Sequence, residues 1–210
     1  MPIRSCLALG ALSVLAACAS VGVGNEGAPH KQHRLSDSAT VQAPRRTESL
    51  VKALLIQPLP ADALTDTVSM AYARRANEFA FYQFASWTER PVRQIPRLLQ
   101  HRLEARGVAG AVGVIGEPLR ADWLLTVAIG TLHHDVSTVP STGKLSLVAE
   151  LFDRRSRTRV ARRQFDASVA ASQADSAAAA AALSQAVAQV FDALVPWLES
   201  ELQRAAAAPH

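Results

Sequence analysis

His133-His134-Asp135 is the nearest approach in this chain to a metal site or a general base. Adjacent strand residues point to opposite faces, so the two imidazoles cannot easily share an ion, and a polar pair at a strand end is the better reading. Ser86 and Ser141 lack the Gly-x-Ser-x-Gly setting that presents a serine nucleophile. Glu78 and Glu89 lie eleven residues apart across a loop, a spacing that fixes no acid–base pair. Val21-Gly22-Val23-Gly24 could open a phosphate loop, but it follows no strand and begins no helix. Both cysteines, Cys6 and Cys18, fall in the first eighteen positions. The body therefore has no thiol nucleophile, no cysteine zinc site and no internal disulfide. No catalytic residue, cofactor or metal is expected.

Cys18 offers chemistry of another kind. Arg4 precedes about ten apolar residues and the small-residue run Leu15-Ala16-Ala17-Cys18, the layout of an export signal too short to cross a membrane. That run resembles the lipobox of bacterial lipoproteins. The resemblance implies cleavage before Cys18, a thioether-linked diacylglycerol on its sulfur and an acylated amine. Three acyl chains, at about 0.8 kcal/mol per buried CH₂, would hold the protein to a membrane. Residue 19 is Ala, not the Asp that retains enterobacterial lipoproteins at the inner membrane, so the same resemblance implies the outer membrane.

The remaining candidates are charges. Six arginines, Arg154, Arg155, Arg157, Arg159, Arg162 and Arg163, occupy ten positions. Loss of Arg4 with the signal leaves 21 basic against 18 acidic side chains, so this cluster alone makes the balance positive. Guanidinium groups suit phosphate and carboxylate, and Arg154, Arg155, Arg157 and Arg159 at a turn are the expected contact for an anionic partner. Nucleic acid is excluded for an exported, lipid-anchored chain.

These residues need a body to hold them. The chain has 210 residues, 49% apolar and 19% charged, enough for one domain and too apolar for disorder throughout. Forty residues are alanine, so Leu, Val, Ile and a few rings must form the core. Residues 1–17 read as the signal and 18–49 as an acylated N-terminus and flexible tether. Residues 50–204 read as the domain and 205–210 as a frayed tail. An apolar run from Leu50 to Ile56 predicts a buried strand, and two strands flank Arg75-Ala76-Asn77. Five of the eight Phe and Tyr rings fall between Tyr72 and Phe84. Pro91 opens a helix that Gly107 ends, with Pro96 kinking it or delaying its start. Strands follow at Val112–Ile115, 122–132, 143–153 and 158–169. A long alanine-rich helix runs from Ser176 to about Arg204, with Pro196 bending it. The order predicts one compact α/β domain, a mixed sheet with an antiparallel portion covered by two main helices.

Several motifs in this order resemble one family. They are Met70-Ala71-Tyr72-Ala73-Arg74, Asn77-Glu78-Phe79-Ala80-Phe81-Tyr82 and Trp87-Thr88-Glu89-Arg90-Pro91, then Ala121-Asp122-Trp123-Leu124-Leu125. Leu151-Phe152-Asp153, Arg163-Gln164-Phe165 and the helix Gln185 to Leu198 complete the set. With the lipobox, they resemble the ABC-type transport auxiliary lipoproteins of the paraquat-inducible protein C type, partners of MCE-domain lipid transport systems. Thr88, where Ala is commoner, and Pro96 depart from the pattern. The resemblance implies a non-enzymatic accessory at the outer membrane, its body in the periplasm, docking an MCE protein that conducts phospholipid. Tyr72, Arg74, Tyr82 and Trp87 are then the expected docking or core-surface residues, and a homo-oligomer is allowed. The alternative is a structural or assembly lipoprotein of the envelope with no transport partner.

Overall fold

The computed structural model describes residues 29–39 and 44–207; Cys18 and the signal-like segment lie outside the described residues. The elements in chain order are β1 (Lys31–His33), β2 (Val51–Pro58), β3 (Ser69–Arg75), β4 (Glu78–Trp87), α1 (Pro91–Arg106), β5 (Ala109–Val114), β6 (Trp123–Asp135), β7 (Thr142–Asp153), β8 (Thr158–Ala170) and α2 (Ser176–Ala207). All strands join one mixed sheet in the order β1-β4-β3-β6-β2-β5, with β7 pairing the other side of β6 and β8 pairing β7. β2 runs parallel to β5 and β6, whereas β6, β7 and β8 form an antiparallel meander. The domain is the single α/β body with two helices that the element order predicts.

Alternation decides which face is covered. On β7, Leu145, Leu147, Ala149 and Leu151 are buried, while Lys144, Ser146, Val148 and Glu150 between them are only half-buried. The buried set packs with Leu54, Ile56, Leu125 and Val127 from β2 and β6 beneath the helices. α1 buries Ile95, Leu99 and Leu103 and ends where Gly107 adopts φ 72°, its N–H and that of Val108 bonding back to Glu104 and Leu103. Pro96 sits inside this helix, which nevertheless runs unbroken from Pro91. α2 turns its alanines to the sheet: Ala178, Ala179, Ala182 and Ala186 are all buried. Small side chains let the helix lie low, and Gly143 on β7 completes the fit. A Cβ there would come within 2.9 Å of the Leu183 nitrogen. α2 is long and apolar enough to cross a membrane by composition, yet it is mostly buried against this sheet.

The tether expected over residues 18–49 does not hold for the described part of that segment. β1 pairs in parallel with the end of β4, His33 opposite Trp87. Leu35 is fully buried, and its carbonyl accepts the Gln94 side-chain amide at 3.0 Å. The side chains of Asp37 and Arg102 are 1% and 4% exposed; Arg102 Nε donates to Asp37 at 2.7 Å and its Nη1 donates to Asp192 at 2.6 Å. Residues 31–39 thus strap the sheet edge to both helices. One leucine among polar residues carries no periodicity, so the sequence could not signal a strand whose partners lie more than fifty residues away. At the other end, α2 continues to Ala207, three residues past its expected end near Arg204.

Candidate functional site

Tyr72 and Tyr82 do meet. Their ring centres are 5.0 Å apart, and the Arg74 guanidinium lies 5.4 Å from the Tyr72 ring. Tyr72 and Tyr82 are half-buried and Arg74 is exposed. The Tyr82 hydroxyl is hydrogen-bonded to His134 Nδ1 at 2.7 Å. Burial, then the nearby Asp175 charge, push the phenol up to about 12. Burial likewise holds the fully buried His134 imidazole below its ordinary value, so a protonated phenol faces a neutral ring, and the ring's tautomer sets which of the two donates. His134 Nε2 finds no partner among the described residues. His133 points away, its ring edge-on to Phe79 at 5.1 Å, so the two histidines do not converge. Asp135 is held well below the usual carboxylate range by Lys144, 2.6 Å away, and by Ser137. No group of three or more His, Cys, Asp or Glu side chains among the described residues could hold a metal ion.

Trp87 belongs elsewhere. It is 3% exposed and packs in the main core, so it offers no docking surface. The exposed rings of this region are Phe79, Phe81 and Phe84, between 38% and 47% exposed, with Val68 at 43%. β1 pairs only from Ala85 onward, which leaves the edge of β4 at these phenylalanines without a strand neighbour among the described residues. A solvent-facing edge with three large rings is an interaction surface rather than a packing residue set. Phe79 and Phe81 alternate, which the sequence shows, but alternation alone does not say which face a neighbour covers.

The arginine-rich turn also differs from expectation. Arg155 donates to Asp122 at 2.5 Å and holds that carboxyl below its usual range. Arg154 donates to the Ala121 carbonyl at 2.8 Å, and Arg159 and Arg162 converge on Glu150 at 2.8 and 3.2 Å. The four arginines therefore do not all reach outward. Arg154 and Arg155 tie the turn to the residues just before β6, Arg159 on β8 pairs with Glu150 on β7, and Arg157, at φ 59°, is the one of the four left at the exposed tip. Only the pairing of β6, β7 and β8 brings Asp122 and Glu150 to these arginines.

The fold has solved relatives. Protein XCC0632 from Xanthomonas campestris superposes with a TM-score of 0.75 at 21% identity, covering 85% of this chain and 100% of that one. A second solved structure, of an uncharacterized protein, gives a TM-score of 0.60 at 13% identity over 80% of this chain and 99% of its own. At these identities they share the fold alone. No curated protein matches by sequence. The family profile described as ABC-type transport auxiliary lipoprotein component matches residues 33–195, beginning within β1 and ending inside α2. With more than half of its length inside that match, the chain belongs to the ABC-type transport auxiliary lipoprotein family.

Proposed function

We propose that this protein is the outer-membrane-anchored accessory of an MCE-type lipid transport system. Cys18 carries its acyl anchor, and its periplasmic body docks the MCE component that conducts phospholipid. The role is binding rather than catalysis. Family membership supports a transporter partner, and the Leu15-Ala16-Ala17-Cys18 run supports the anchor. The observation that carries the docking reading is the exposed β4 edge, where three aromatic rings, Phe79, Phe81 and Phe84, lie outside the core on one strand. Rings exposed on one strand are what a hydrophobic partner surface requires.

Affinity capture of the tagged lipoprotein from membranes tests this. The expected result is co-purification of an MCE-domain protein with its permease and ATPase, lost in a Phe79→Ser/Phe81→Ser variant whose melting temperature is nearly unchanged. Capture of envelope proteins without any transporter component would favour the structural or assembly role instead. Capture untouched by the double substitution would remove β4 from the interface.

A further inference from the structure

The β7–β8 turn and the loop between β5 and β6 enclose a cleft of ≈ 660 Å³ beside β2. That volume falls in the range that takes one small ligand. Four cations line it, Lys52, Arg120, Arg154 and Arg155, against the carboxylates of Glu117 and Asp122. Arg155 is already committed to Asp122 and Arg154 to a carbonyl. Lys52 and Arg120, both exposed, make no hydrogen bond or salt bridge with a described residue, while the charge of Lys52 acts on Asp122 from beyond direct contact. Part of the lining is apolar: Leu55 is 3% exposed, Leu119 half-buried and Ile115 48% exposed.

The loop that carries this lining is built in place. The Ile115 N–H donates to the Ile56 carbonyl at 2.8 Å, and Gly116 turns the chain at φ 101°. The loop then folds back over Gly113, where a Cβ would meet Glu117 Oε2 at 2.9 Å and Leu119 Cδ2 at 3.0 Å. Two cations with no hydrogen-bonded partner, sharing a formed cleft with apolar side chains, match a ligand with an anionic head and an apolar body. Guanidinium and ammonium together suit a phosphate group.

We propose that this cleft binds the phosphate-bearing head of an anionic amphiphile, Lys52 and Arg120 pairing the phosphate and Ile115 and Leu119 covering the first carbons of its apolar part. The cationic cleft stands on its own geometry; the choice of a lipid over free phosphate rests on the transport reading.

The test is a phosphorus-31 resonance titration of the full chain carrying Cys18→Ala, which removes the acyl anchor. The probes are dihexanoyl phosphatidylglycerol below its micelle concentration, dihexanoyl phosphatidylcholine and inorganic phosphate. Phosphatidylglycerol should bind at least tenfold more tightly than either of the others. Lys52→Ala/Arg120→Ala should weaken it at least tenfold, Ile115→Ser about threefold, and Arg157→Ala, at the tip outside the cleft, less than twofold. Unchanged binding by the double variant overturns the proposal, as does equal loss from Arg157→Ala, which would mean diffuse charge. Parity between phosphatidylglycerol and inorganic phosphate overturns the amphiphile assignment. Transporter capture with a silent titration would fail the cleft alone; specific titration with no transporter captured would fail the transport reading alone.

Discussion

Replacing Asp37 by alanine should unfasten the N-terminal strap from the body. Asp37 and Arg102 are 1% and 4% exposed, so the substitution leaves a guanidinium in the interior with Asp192 as its remaining carboxylate partner, itself 58% exposed. Removing one partner of a buried pair costs about 3–5 kcal/mol. Asp192 retains part of that, so we expect about 3 kcal/mol. For a domain of this size each kcal/mol moves the melting temperature by about 2–4 °C, giving a fall of about 6–12 °C. Asp192→Ala, which loses only the exposed arm, should cost about 1 kcal/mol or less. Asp37→Ala combined with Arg102→Met should cost less than Asp37→Ala alone, because no buried charge is stranded. Circular dichroism melts give the magnitudes, and hydrogen exchange at residues 31–36 reports the strap directly. A melting temperature within 2 °C of the parent, with those amides still protected, would refute the argument that this ion pair fastens the segment.

Trp87→Ala should cost about 3–5 kcal/mol, read as a melting-temperature loss, because the ring is core. Gly143→Ala should cost about 1–3 kcal/mol by pressing a methyl into the backbone of α2; a neutral outcome would mean that the helix shifts freely. Burial depresses the folded values of His33, His133 and His134, so the unfolded chain takes up these protons first as pH falls below the ordinary 6.5. Stability should be full above that pH and decline from about 6.5 through the lower folded values, with a shallower decline in His134→Gln. A melting temperature that is flat between pH 7.5 and 5.5 would contradict this. Cys18→Ala should free the protein from the membrane fraction or leave its signal uncut, as shown by fractionation and the mass of the N-terminal peptide.

Legibility followed the range of the interactions. β7 and α1 declared themselves through local pattern: alternation from Leu145 to Leu151, and an apolar stripe closed by Gly107. Among the described residues, both helices and seven of the eight strands carry such a pattern. β1 does not, because its order comes from β4 and from Arg102, residues remote in sequence. The same limit applies at the surface. Tyr72 and Tyr82 stood out within a ring-rich stretch, but His134 as the partner of Tyr82 depends on β6 lying beside β3. A tryptophan beside exposed phenylalanines looks like one patch in sequence; only the bulged register of β4 separates the buried ring from the open ones. The arginine run was conspicuous, whereas Asp122 and Glu150, which pair with three of its six members, were not.

β1 also sets a length. With the anchor at Cys18 as proposed, the chain meets the sheet at Lys31 rather than near Leu50. A backbone spans at most about 3.3–3.6 Å per residue, so the segment from Cys18 to the sheet can reach at most about 45 Å instead of about 110 Å. Its attachment point is equally defined: Lys31 lies opposite Ala85, next to Phe84 on the uncovered edge of β4. Traction from the membrane would enter the domain beside the phenylalanine strip, and whatever binds that strip must approach within the short radius that reach allows.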